Sequence, residues 1–183
     1  MIPALFIVVL DANVLFPFTL RDTLLRAAVA GFYQVRWTSR ILDEMTRNLV
    51  STGTMPADRA NLLRAIMEHE FPEAEVTGYE HLIDAMPNDP KGRHVAAAAV
   101  KAGAQVITTA NLKDFTSLPG DVEAQSPDEF LCNLFDLDPD GFAQLLREQA
   151  ADLVKPAMTF EELLERLAHT VPELAGAVRR HAS

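Results

Sequence analysis

The stretch Phe6-Ile-Val-Val-Leu10, running straight into Asp11-Ala-Asn13, holds the strongest fold signal in the chain. Five consecutive apolar residues, rich in branched side chains, show no alternation with polar ones. They predict a strand buried on both faces, as in a parallel sheet covered by helices. Downstream, Leu20–Ala30 has helical spacing and closes at Gly31, and Gln34–Trp37 predicts a short second strand. Ser39 reads as an N-cap for a helix that buries Ile41, Leu42, Met45 and Leu49. Met55-Pro-Ala-Asp58 opens another helix, with Leu62, Leu63, Ile66 and Met67 as its apolar stripe, and Glu75–Gly78 predicts a third strand. Asp89-Pro90 is an N-cap followed by proline in the first helical position, and the alanine-rich helix that follows ends at Gly103. Gln105–Thr108 and Val122–Ala124 complete the strands. Strands alternating with helices of this length imply βαβ units, hence an α/β fold with a parallel sheet and helices on both faces.

Composition narrows the function classes. A chain of 183 residues is one domain, or one domain with an appendage, and 49% hydrophobic content suffices for a sizeable core. One cysteine excludes a disulfide framework and a cysteine-built zinc site. A net charge of −10 argues against gripping nucleic acid by bulk positive charge. No apolar run approaches the roughly 20 residues of a membrane helix. The apolar start, Ile2–Leu10, lacks a basic flank and ends in Asp11, so it does not read as a signal peptide. These features predict a soluble, cytoplasmic protein.

The pattern changes at Ser126. Ser126-Pro-Asp-Glu129, Thr159-Phe-Glu-Glu162 and Thr170-Val-Pro-Glu173 each have capping-box spacing, and Asp138-Pro139 marks one more helix start. Residues 126–183 therefore predict a small all-helical C-terminal extension to a domain spanning 1–125. The extension carries five basic and eleven acidic residues, a net of −6, against −4 for residues 1–125.

Ligands of an open α/β sheet bind at the carboxyl ends of its strands. Asp11 ends the first strand, Asn111 and Asp114 follow the strand that ends near Thr108, and Asp89 opens the helix before it. Glu44 lies on the helix after the second strand. Converging carboxylates repel one another, and a hard divalent cation such as Mg²⁺ or Mn²⁺ relieves the repulsion. Such a site can polarise a phosphodiester and activate water. Other chemistries are poorly supported. Neither a GxGxxG after the first strand nor a P-loop is present, which disfavours a dinucleotide enzyme. His69, His81, His94, His169 and His181 show no metal spacing and read as scattered surface residues, and Cys132 lies in an apolar stripe.

Four segments together resemble the PIN-domain family of metal-dependent ribonucleases, many of which are VapC-like toxins of VapBC-type toxin–antitoxin pairs. They are Val9-Leu-Asp-Ala-Asn-Val-Leu15, Trp37-Thr-Ser-Arg-Ile-Leu-Asp-Glu44, Asp89-Pro-Lys-Gly-Arg-His-Val95 and Thr108-Thr-Ala-Asn-Leu-Lys-Asp-Phe115, and their order fits the family over residues 5–125. By this resemblance Asp11 and Glu44 are the first two metal carboxylates. The third acid of the Asp-Pro-x-Asp-Arg pattern is replaced by Gly92, leaving Asp89 as the nearest substitute. Asn111 stands where many relatives carry aspartate, with Asp114 three residues on. The resemblance thus implies Asp11, Glu44, Asp89 and Asp114 as catalytic residues and the same four with Asn111 as ligands of Mg²⁺ or Mn²⁺. It also implies an RNA substrate, a small antitoxin partner and a homodimer.

Residues 12–67 contain seven arginines (positions 21, 26, 36, 40, 47, 59 and 64) against four acids, a local net of +3. This excess, extended to Arg93, predicts a phosphate-holding surface with Arg40, Arg47 and Arg93 nearest the site. The expected function is metal-dependent RNA hydrolysis by a toxin. The alternative is a catalytically impaired PIN-like fold that binds RNA or a protein, which Gly92 favours. A Gly92→Asp change distinguishes drift, where the new acid tightens Mn²⁺ binding, from a glycine required for close approach.

Overall fold

The computed structural model describes residues 6–183, so the first part of the apolar start, Ile2–Leu5, lies outside the described residues, whereas the predicted first strand lies within them. Four strands form one parallel sheet: β1 (Ile7–Leu10), β2 (Gln34–Arg36), β3 (Val106–Thr108) and β4 (Glu123–Gln125), in the order β2-β1-β3-β4. Val8, Val9 and Leu10 are all inaccessible to solvent. Successive residues of a strand face opposite sides, so both faces of β1 are covered. The register aligns Leu10 with Thr108 and Thr108 with Gln125. The ladder continues one residue further, through Asp11 N to Thr108 O at 3.0 Å and Thr109 N to Gln125 O at 3.0 Å. From β1 the chain moves outward to β2 on one side, and β3 and β4 follow on the other. The boundary between β1 and β3 is therefore the topological switch point of the sheet.

Helices α1 (Ala12–Leu15), α2 (Phe18–Val29), α3 (Ser39–Ser51), α4 (Ala57–Glu70) and α5 (Arg93–Ala102) surround this sheet. In α5, Ala96, Ala97, Ala98 and Ala99 are buried, and their small side chains let the helix lie close on β1 and β3. Gly103 then closes α5 in the left-handed conformation, φ +67°.

Four helices follow β4: α6 (Pro127–Leu137), α7 (Pro139–Asp152), α8 (Phe160–Leu167) and α9 (Pro172–Ala182). Ser126 Oγ accepts from Glu129 N, and Thr159 Oγ1 from Glu162 N, both at 3.1 Å, as their spacing predicts. These helices share one apolar core with the sheet. Phe130 of α6 meets the buried Tyr33 edge-on, with ring centroids 5.0 Å apart. A buried polar link joins α7 to α2, where the Thr23 hydroxyl stands 2.9 Å from Gln149 Oε1. At the surface, Arg26 Nη1 reaches Asp152 Oδ2 at 2.8 Å.

Several local expectations are corrected. The cap of α3 is Thr38, whose Oγ1 accepts from Ile41 N at 3.0 Å, and Ser39 is the first helical residue. Glu75 forms a single parallel bridge to Trp37 and Glu75–Gly78 is no strand of the sheet. In α4 the buried residues are Ala60 and Met67, whereas Leu62 and Ile66 are 60% and 50% exposed. The third capping box does not form, because Thr170 Oγ1 donates to Leu167 O instead. The start of α9 is capped from another helix: Asp128 of α6 accepts from Glu173 N at 3.0 Å and Leu174 N at 2.8 Å.

Candidate active site

Asp11 occupies the switch point. It is the N-cap of α1, only 8% exposed, and its Oδ1 accepts from Ala12 N at 2.8 Å. Its Oδ2 accepts from Thr109 Oγ1 at 2.8 Å and Asn13 Nδ2 at 3.2 Å. The direction of the Thr109 hydroxyl hydrogen follows from its other contacts. Thr109 Oγ1 accepts from Asn111 N at 3.1 Å and from Asn13 Nδ2 at 3.2 Å, which uses both lone pairs. The remaining hydrogen points at Asp11. Asn13 Oδ1 accepts from Ala110 N at 2.9 Å, closing a network between the ends of β1 and β3. Sequence reasoning gave Asn13 and Thr109 no role, although both lie inside the motif segments.

Burial raises the Asp11 carboxyl above its ordinary range. Hydrogen bonds from Thr109 and Ala12 pull it back down, nearby Glu44 pushes it up, and His94 lowers it. Glu44, on α3, moves the opposite way, chiefly because His94 hydrogen-bonds it, against a smaller effect of burial. Arg40 and Arg47 reinforce that lowering. His94 Nε2 lies 3.2 Å from Glu44 Oε1, and Arg40 Nε lies 3.9 Å from the same oxygen. The surface assignment of His94 is thus overturned: it is 3% exposed, whereas the other four histidines are exposed. The one available signal was its position on the alanine-rich helix next to the Asp-Pro segment.

The remaining predicted acids are placed differently. Asp89 is exposed, and its Oδ1 caps the turn Pro90–Gly92 by accepting from Lys91 N at 2.9 Å. Asn111 is exposed and engages the network through its backbone N–H, and Asp114 is half-buried. Among the described residues, no three His, Cys, Asp or Glu side chains come together closely enough to hold one ion. The structure brings Asp11 and Glu44 into electrostatic contact and does not gather Asp89 or Asp114 with them into a cage. Two carboxylates still fit Mg²⁺, which characteristically keeps several waters and takes one or two protein carboxylates plus substrate phosphate.

Gly92 has a packing explanation. A Cβ there would stand 2.8 Å and 2.9 Å from two ring carbons of Phe115, and 3.0 Å from Asn88 Nδ2. Asn88 is 3% exposed and ties the two segments together, donating to Asp114 O at 3.1 Å, while its own carbonyl accepts from Arg93 Nε at 2.9 Å. Position 92 is a close approach, and drift from an ancestral acid is not needed to explain it.

The arginine surface is also smaller than composition implies. Arg21 is buried and donates to Leu15 O at 2.9 Å. Arg26 pairs with Asp22 and Asp152, Arg64 pairs with Asp43 and Glu68, and Arg36 donates to Val35 O. Arg40 and Arg47 are exposed on either side of Glu44 along α3.

The PIN domain family model matches residues 7–113, more than half of the chain. The chain belongs to the PIN-domain family. A second family model, the VapC50 C-terminal domain, matches residues 127–180. A protein of Mycobacterium tuberculosis (strain ATCC 25618 / H37Rv) named "Putative ribonuclease VapC50" is 39% identical over 106 residues, which cover 56% of this chain and 63% of that relative. The match therefore spans less than two thirds of the relative's length. No solved structure matches the chain.

Two outcomes are expected. Gly92→Ala should destabilise the protein by about 1–3 kcal/mol, the usual range for overpacking, and Gly92→Asp should give no gain in Mn²⁺ affinity; unchanged urea stability of the alanine variant would refute the close approach. The raised Asp11 carboxyl means the native state takes up this proton more readily than the unfolded chain. Its contribution to stability is then complete below the unfolded value and is lost as pH rises through the native value. The stability of the native protein relative to Asp11→Asn, measured in metal-free buffer, should fall as pH rises above the ordinary aspartate range. A pH-independent difference would contradict the assigned burial effect.

Proposed function

We propose that the protein is a metal-dependent endoribonuclease, the toxin of a toxin–antitoxin pair, with Asp11 and Glu44 holding Mg²⁺ or Mn²⁺. The observation that carries this reading is a buried carboxylate, Asp11, at the switch point of a parallel sheet with a second carboxylate, Glu44, as its electrostatic neighbour. PIN-family membership and the printed name of the Mycobacterium relative support the ribonuclease class. When bound, the cation would supply charge for the phosphoryl oxygens and lower the pKa of an attacking water.

The chain's own residues do the rest. Thr109, Asn13 and the Ala12 N–H fix Asp11 in one orientation. Arg40 and Arg47 flank Glu44 and draw the RNA backbone, with Arg93 beside the Asp89 turn as a third phosphate contact. We place Asp89, Asn111 and Asp114 outside the ligand set. Residues 1–125 form the PIN-like nuclease unit in this reading, and 126–183 the helical extension. A small antitoxin, a homodimeric state and action in the cytoplasm are further parts of it. Among the described residues no helix is long and apolar enough to cross a membrane. A second reading, a binding module without catalysis, is favoured by the absence of a three-acid cluster among the described residues.

Asp11→Asn, assayed on single-stranded RNA with Mn²⁺, should lose cleavage below detection while keeping its circular dichroism spectrum. Cleavage by that variant at the native rate would reject the site. RNA binding by the native protein without cleavage at any Mn²⁺ or Mg²⁺ concentration would favour the binding module.

A further inference from the structure

We infer that His94 is a positioning residue for Glu44: its Nε2–H fixes the carboxylate and leaves Oε2 free for a cation. The inference rests on the two-carboxylate reading above and extends it to a residue whose side chain need not touch the ion. Glu44 is 29% exposed at its side chain and has three rotatable bonds, so it needs a rigid partner to hold one geometry. Arg40 does not supply one, because 3.9 Å is beyond hydrogen-bond reach and its own side chain is 55% exposed. His94 does. It projects from α5, whose buried alanines seat it against β1 and β3, and its Nε2 stands 3.2 Å from Glu44 Oε1.

The hydrogen can be assigned from donor chemistry. An ionised carboxylate only accepts, so the hydrogen of this contact is on Nε2. The other ring nitrogen, Nδ1, is buried and has no hydrogen-bond partner among the described residues. The ring is therefore not anchored by a backbone carbonyl, and the Glu44 carboxylate is its polar contact. A buried, unpartnered nitrogen costs stability, which an apolar side chain at the same place on an alanine-rich helix would avoid. The fold bears that cost for a contact that orients Glu44. Partners that orient metal ligands in this way characteristically govern affinity for the ion.

The test compares native protein, His94→Gln and His94→Leu by calorimetric titration with Mn²⁺ alone, with melting curves of the metal-free forms. Glutamine keeps an N–H donor at similar reach, and leucine removes it. Leucine should weaken Mn²⁺ binding by roughly 10–100-fold, and glutamine should restore most of the affinity. If both variants melt earlier but bind Mn²⁺ as the native protein does, His94 is purely structural and the inference is overturned. If the native protein binds no Mn²⁺, or Asp11→Asn binds it equally well, the two-carboxylate reading itself fails and the inference with it. A long-range ¹H–¹⁵N spectrum of the native protein decides the case even if leucine prevents folding. His94 should carry a hydrogen on Nε2; a bare Nε2 would overturn the assignment.

Discussion

A carboxylate at the carboxyl end of a strand buried at Val8, Val9 and Leu10 is the constraint around which this protein is arranged. The last three residues of β1 have no solvent on either face, yet the residue that follows them is acidic and 8% exposed. Burial penalises its charge, and the chain answers with three donors, Ala12 N, Thr109 Oγ1 and Asn13 Nδ2. Two of these donors are local to Asp11, and the third is available because β1 and β3 run parallel in a register that places Thr109 beside it. Sheet order, register and the Asn13–Ala110 closure are thus one device for holding a charge where an apolar residue would be cheaper. Glu44 adds a second negative group to that corner. A cation is the partner that would relieve both.

The charge distribution is consistent with this division of labour. Much of the basic excess in residues 12–67 is consumed by the fold: Arg21 as a buried donor to carbonyls, Arg26 and Arg64 in ion pairs. Exposed cations remain beside Glu44, at Arg40 and Arg47, where a phosphate approaching the acidic corner would meet them. The acidic tail is used for packing and capping. Asp128 caps α9 across helices, and Asp152 holds α7 to Arg26 of α2.

The architecture was legible wherever one local force dominates. The apolar run of β1, the alanines of α5, the left-handed stop at Gly103 and the boxes at Ser126 and Thr159 are fixed by burial or by local hydrogen bonding, and a sequence carries both. Where two local solutions compete, tertiary contacts decide. Thr38 outranks Ser39 as a cap because it alone has the extended backbone. The start of α9 is capped not by Thr170 but by Asp128, 45 residues before Glu173 in the chain. Of the predicted α4 stripe, Met67 turns inward as expected, whereas Leu62 and Ile66 face solvent and Ala60 takes an inward place. The placement of Asp11 at the end of β1 follows from position, whereas His94 is invisible to a spacing rule because its partner, Glu44, lies on another helix. Gly92 resembles a missing ligand until the Phe115 ring beside it is seen.

The central claim is that the carboxyl end of β1 is a cation site built on Asp11 and Glu44. A crystal structure of the protein grown with Mn²⁺, with the ion located by its anomalous scattering, tests this most directly. The account predicts one peak within coordination distance of Asp11 and Glu44, with His94 on the far oxygen of Glu44. A peak at Asp89 and Asp114 with none at Asp11, or no peak at saturating Mn²⁺, would contradict it.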